Sequence, residues 1–326
     1  MKTTLKSSIF KNNVLVKTFE KDFKASIFIE NTTPIDYALV KGTLTELSIN
    51  GLRVLIRNVK TEDYSIGVHH DFPFFKLQFE IEGSSLYKPL DKCEPEVYIP
   101  NAHYNLFYLP KVHGTLTYKK GQRKTLEVLF TENYLKDIIG ENFKEILHRF
   151  GTAISRKTAF FMWQKSQPIT NDLQNHINEI VFCNYHKDLK KPYLEAKIKE
   201  LLILLLAQTN DEINKDTPFN LPEIDYNAIL KVENYINAHL KDTLTIPELA
   251  VIAGMNTTKL KQGFKLIFST TIFKYISCLR MEQAKKQIVE KKCTVAEAAY
   301  HVGYKHPQHF TVAFKKIYGY LPSNLT

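Results

Sequence analysis

Cysteine is scarce in this chain: four residues in 326, at positions 93, 183, 278 and 293, with no C-x-x-C pair. That rules out a cysteine zinc site of the usual spacing and a dense disulfide framework, and it leads us to expect reduced thiols. Long hydrophobic runs are also lacking. The longest, Leu201 to Ala207, falls far short of the roughly 20 residues that span a bilayer. The opening MKTTLKSSIFKNNVLVK has neither an uninterrupted apolar core nor a small-residue cleavage site, so a cytoplasmic protein with no membrane partner is expected. There is no G-x-x-x-x-G-K-[ST], no G-x-S-x-G and no H-E-x-x-H. The nucleotide-phosphate, acyl-transfer and zinc-protease sites that use these motifs are therefore excluded, and the chain reads as a non-enzyme without a cofactor. Low-complexity tracts and blocks of like charge are absent, which excludes a long disordered tail.

What is present is positive charge. Lys and Arg number 44 against 34 Asp and Glu, a formal net of +10. That sign favours phosphates, anionic surfaces or acidic ligands. Residues 223 to 326 hold 14 basic and 8 acidic side chains, so this third of the chain supplies more than half of the excess. A generically basic protein would show the same bias, and charge alone does not decide the partner.

The length favours two domains, and the texture of the sequence divides accordingly into an α+β protein. From about residue 24 to 131, short runs rich in β-branched and aromatic residues (KASIFIE, LRVLIRN, FFKLQFEI, HYNLFYL, KTLEVLF) alternate with Gly, Pro, Asn and Asp. They predict a β-rich domain over 1–131, a sandwich or small barrel whose interior suits a small ligand. Helical spacing begins after Glu132 and predicts a coupling and dimerisation segment over 132–208. Within it YLEAKIKELLILLLAQ is apolar on more than one face, so it is buried inside its own domain or partly against a second subunit. The polar stretch TNDEINKDTPFNLP reads as a linker over 209–222, and residues 223–326 as an all-helical domain.

That last domain contains a repeat. TIPELAVIAGM (Thr245 to Met255) lies on TVAEAAYHVGY (Thr294 to Tyr304) at an offset of 49 residues. Each copy opens with Thr-x-x-Glu, the capping box that starts a helix, and each places Ala four residues before a Gly that suits the tight turn of a helix-turn-helix unit. A second helix follows each glycine, capped by Asn256 in the first copy and opened by Pro307 in the second. Between the copies a helical run from about Thr271 to Val289 spans on the order of 28 Å. Successive major-groove faces are about 34 Å apart, so such a strut holds two helices in adjacent groove segments.

These residues resemble the AraC/XylS family of transcription regulators, over roughly Tyr226 to Thr326. The resemblance rests on LAVIAGMNTTKLKQGFK, on Arg280 and Ala284 in the connecting helix, and on AEAAYHVGYKHPQHFTVAFKKIYGYLPSNL. The stretch AGMNTTKLKQGFKLIFSTTIF looks like the branch of regulators of siderophore uptake, which does not identify a ligand. The resemblance implies a cupin-like sensory N-terminal domain, a small-molecule effector, a homodimer, double-stranded DNA as partner, and RNA polymerase as a further one. It also implies that Thr258, Lys261 and Gln262 of the first unit and Gln308 and Thr311 of the second face base edges, chemistry that these side chains permit. Lys259, Lys265, Lys305, His306, His309 and Lys315 are expected at phosphates. Where relatives often carry Arg, this chain has Gln262 and Val312, and Val312 cannot hydrogen-bond a base.

Two further groups are candidates. Phe75, Phe79, Tyr98, Tyr104 and Phe107 are expected to line the ligand pocket, although strand alternation assigns at least half of the aromatics in this region to ordinary core. His69 and His70 adjoin Asp71, but neighbouring histidines on a strand point to opposite faces, so no metal site is expected. A basic architectural protein without a ligand remains the alternative to a regulator. It would show little sequence preference.

Overall fold

The computed structural model describes residues 1–10, 12–211, 221–268 and 270–325. They form two compact units. The first is β-rich, with strands β1 (Lys2–Lys6), β2 (Val14–Thr18), β3 (Ile29–Tyr37), β4 (Val40–Ile49), β5 (Leu52–Thr61), β6 (Tyr64–His70), β7 (Phe74–Glu82), β8 (Ser85–Pro89), β9 (Val97–Ile99), β10 (His103–Leu109), β11 (Val112–Tyr118) and β12 (Gly121–Phe130). One sheet runs β2-β1-β6-β11-β8-β9, and the other centres on β10-β7-β12-β5-β4-β3. The hairpin of β4 and β5 closes at Asn50-Gly51, with Gly51 at φ +81° and Ile49 paired to Leu52, a backbone geometry that favours glycine.

The strand texture starts earlier than expected, because KTTLK and VLVKT already pair with each other. β3 also lies later than KASIFIE suggests and includes Pro34. It forms the edge of its sheet, where the missing amide of a proline breaks no ladder.

The larger sheet is covered on one face by helices α1 (Glu132–Ile139), α2 (Phe143–Ile146), α3 (His148–Arg156), α4 (Asn171–Val181) and α5 (Lys187–Asp211). Their starts are written in local chemistry: Thr131 accepts from the Tyr134 amide and Thr170 from that of Leu173. Leu77, Phe79, Leu106 and Val128 of the sheet share one core with Ile177, Ile198, Leu201, Leu202 and Leu205 of the helices. Trp163 is part of that core, edge-on to Tyr104. The short strands β13 (Phe160–Phe161) and β14 (Gln167–Pro168) return to pair with β10. Of the linker expected over 209–222, residues 209–211 belong to the end of α5, and residues 212–220 lie outside the described residues.

The second unit contains residues 90–95 and the described residues from 221 onward. Its helices are α6 (Glu223–Ala238), α7 (Ile246–Ala253), α8 (Thr257–Phe268), α9 (Ile272–Lys291), α10 (Val295–His301) and α11 (Pro307–Tyr318). Two separate cores form. Leu249, Ala250, Leu260 and Phe264 gather around Ile272 and Ile276, while Ala298, Ala299, Phe310 and Phe314 gather around Met281, Ala284 and Ile288. Helix α9 serves both. At about 100° per residue its two buried stripes point roughly 130° apart, so one rigid element orients both units.

Within this unit Cys93 and Cys278 form a disulfide with a Cα separation of 5.6 Å, while Cys183 of the first unit and Cys293 carry free thiols. This corrects the expectation of four reduced thiols. The bonded pair is separated by 185 residues, and spacing along the chain holds no information about such a pairing.

Candidate nucleic-acid interface and interior cavity

The two helix-turn-helix units are alike in their backbone chemistry. Thr245 and Thr294 each accept from the amide of the Glu three residues on, and Glu248 and Glu297 each reach back to the cap amide. The Glu297 carboxyl is held below the usual carboxylate range by its bonds to Thr294. Gly254 and Gly303 both adopt positive φ, +64° and +87°. They differ in their surroundings: a Cβ on Gly254 would enter open space, whereas one on Gly303 would overlap the Lys241 carbonyl oxygen.

Helix α8 presents Thr258, Lys261, Gln262 and Lys265 outward, with Leu260 and Phe264 turned into the core. Asn256 caps it by accepting from the Lys259 amide at 2.8 Å. Lys259 is not a bare phosphate donor, because its ammonium lies 2.8 Å from Asp225 of α6. On α11, Gln308, His309, Val312 and Lys315 face outward, and Lys305 and His306 flank its start. Thr311 is only half exposed, and its hydroxyl donates to the Pro307 carbonyl at 3.0 Å, which leaves a methyl and lone pairs for any partner. The second helix is therefore poorer in hydrogen-bonding side chains. Arg280 secures the frame, donating to the carbonyl oxygens of Leu240 and Asp242 at 2.8 Å each, and Ala284 is wholly buried.

The first unit encloses a cavity of about 480 Å³ between its two sheets. Of the five aromatic residues expected there, Phe107 alone lines it. Phe75, Phe79 and Tyr104 point to the opposite face of the larger sheet, into the core beneath the helices, and Tyr98 is exposed. Both faces of that sheet are buried, so aromatic content does not tell them apart. A better signal was the polar alternation in β7: Lys76, Gln78 and Glu80 are buried on the cavity side while Phe75, Leu77 and Phe79 face the helices.

The charges continue across the sheet. Glu127 on β12 accepts from Arg57, from Lys76 at 2.5 Å, and lies 3.7 Å from Arg123. Arg123 in turn holds Glu80 at 2.8 Å. Although burial opposes ionisation, the three cations bring the Glu127 carboxyl down to about 2. His70 faces inward, stacked on Phe74 and bonded to the Thr3 hydroxyl, and burial takes its imidazole down to about 3. His69 points the other way, edge-on to His113, so the alternation expected of this pair is observed. Among the described residues no helix is long and apolar enough to cross a membrane.

Two helix-turn-helix units on a common strut, joined in one chain to a β-rich domain with an internal cavity, define a double helix-turn-helix protein of the AraC type. Residues 249–326 match the family described as Helix-turn-helix domain, and residues 44–221 match Regulatory protein PchR N-terminal domain. The second match takes in more than half of the chain, which therefore belongs to that family. One relative, an HTH-type transcriptional regulator from the cgkA 5' region of Pseudoalteromonas carrageenovora, is 37% identical over 97 residues, 29% of this chain and 54% of that protein. The lactose operon transcription activator of Staphylococcus xylosus is 20% identical over 261 residues, 70% of this chain and 88% of that protein. Among solved structures, the C-terminal domain of the response regulator yesN from Fusobacterium nucleatum is 27% identical, covering 30% of this chain and 97% of that one with a TM-score of 0.29. This chain spans about half or less of the length of the first curated relatives it matches.

Proposed function

We propose that this protein is a cytoplasmic, non-enzymatic transcription regulator that reads specific DNA sequences through α8 and α11 and is controlled by a small molecule in the cavity of its first unit. The observation that carries this reading is the strut. Helix α9 has 20 residues, about 30 Å at 1.5 Å per residue, close to the roughly 34 Å repeat of the major groove. Thr258, Lys261 and Gln262 supply donors and acceptors for base edges, with Gln308 and Thr311 as the second set. Lys265, Lys305, His306, His309 and Lys315 are the cations assigned to phosphates, and Lys259 is shared with Asp225.

A homodimer fits the same reading. Ile203 and Leu204 of α5 are each 44% exposed amid buried leucines, an apolar surface suited to a second copy. Effector binding that changes how two such copies present their DNA-binding units shifts affinity for paired half-sites, and RNA polymerase is the natural partner of a protein so placed.

Selection of bound fragments from genomic DNA by the purified protein, repeated at rising salt, tests the reading. Recovery of a few discrete sites that persist at moderate salt is the expected result. Unselective binding that disappears with salt would instead describe a basic architectural protein.

A further inference from the structure

The cavity face of the larger sheet carries more charge than an interior ordinarily tolerates, and the charge is unbalanced. Row by row, the register sets Glu46 of β4 beside Leu55, Glu127 and Gln78. Arg57 and Lys76 lie one pleat to either side of Glu127 on the flanking strands, the diagonal positions from which long side chains reach a common partner. Arg57, Lys76 and Arg123 surround two carboxylates, Glu80 and Glu127. Nearer the edge, Lys17 and Arg53 share the single carboxylate of Glu46. With every side chain ionised, each cluster thus has one cation in excess. The Lys76 and Arg123 side chains are 10% and 4% exposed and that of Arg57 24%, so the cluster is largely withdrawn from solvent. Burying an uncompensated charge is unfavourable unless something answers it.

Arg57 is the group with capacity left. It reaches Glu127 through Nη1, and among the described residues its Nε and Nη2 have no acceptor. The rest of the wall is apolar, with Leu44, Leu55, Val59, Ile66, Phe107 and Leu129 facing the same space.

Resting on the effector reading above, we infer that the cavity takes an organic anion: one carboxylate seated against Arg57 and Lys76, carried on a mainly apolar body that fills the space between the sheets. The anion completes the cluster that the protein leaves one charge short. Glu127 stays ionised at neutral pH, since its carboxyl is brought down to about 2, whereas burial lowers the Lys76 ammonium below its ordinary range, so an anion seated beside Lys76 favours its charged form. Neutral His70 adds nothing to the excess.

Calorimetric titration of the full chain with decanoate, decan-1-ol and decyltrimethylammonium tests the class of ligand with one apolar body and three head groups. Decanoate should bind at least about ten-fold tighter than the alcohol, as a charge-assisted bond implies, and the ammonium most weakly. Leu44 stands directly across from Arg57 in the register, so Leu44→Glu supplies the missing carboxylate from within. That variant should keep its unfolding temperature and bind decanoate no better than the alcohol. Arg57→Gln should lower decanoate affinity in the same way, with its unfolding temperature measured alongside. Equal affinity for acid and alcohol, absence of decanoate binding, or undiminished decanoate binding by Leu44→Glu would overturn the inference. DNA affinity measured with and without decanoate separates the two readings: acid-selective binding that leaves DNA affinity unchanged upholds the anion seat and overturns only the ligand control.

Discussion

The two helix-turn-helix units share a construction and differ in what they offer to a partner. Both use a capping box, a positive-φ glycine and a pair of buried aromatic or aliphatic anchors on the second helix. Yet α8 exposes Thr258, Lys261 and Gln262 where α11 exposes Gln308 and Val312 and turns the Thr311 hydroxyl onto its own backbone. Scaffold and reading surface are thus set by different residues, and one can be duplicated while the other diverges. The expected division of labour is a first unit that discriminates sequence and a second that docks.

The comparison can be broken most forcefully at the cores. Phe264 and Phe314 are both fully buried, one in each cluster. Ala at either position should cost about 3–5 kcal/mol in thermal or denaturant unfolding, and hydrogen exchange should show the loss concentrated in the unit that carries the substitution. Next come the glycines. Gly303→Ala meets both a left-handed backbone and the Lys241 carbonyl, for about 2–5 kcal/mol, whereas Gly254→Ala meets only the backbone, for about 1–2 kcal/mol. Equal losses in unfolding midpoint would show that the second turn relaxes and that the asymmetry is not real.

At the reading surface, Lys261→Ala and Gln262→Ala should each weaken binding to a selected site by about 1–3 kcal/mol while leaving binding to random DNA little changed. Val312→Ala should alter neither in the same competition assay, because no hydrogen bond is lost. In unfolding, the caps should matter least: Thr245→Ala and Thr294→Ala should each cost about 1 kcal/mol, by similar amounts.

The caps, the repeat and the turns were legible in the sequence because each is local. Thr-x-x-Glu and a following glycine act within one or two turns of helix, and the structure places both where the spacing predicts. The cavity was not legible in the same way. Phe74 and Phe75 are neighbours that serve opposite faces of one sheet, and only the pairing of strands shows that Phe107 faces the cavity while Tyr104 does not. The bond between Cys93 and Cys278 depends on tertiary placement in the same sense. Thr311 shows a subtler limit, since its helical position predicts outward contact but its hydroxyl is already engaged with Pro307.

The central claim is that two recognition helices on one strut occupy adjacent major-groove segments. Methylation interference on a fragment selected by the protein tests it directly. Two clusters of interfering guanines about one helical turn, roughly 10 base pairs, apart on one side of the duplex are predicted, with the cluster under α8 weakened by Lys261→Ala. A single cluster, or interference spread evenly along the fragment, would contradict the account.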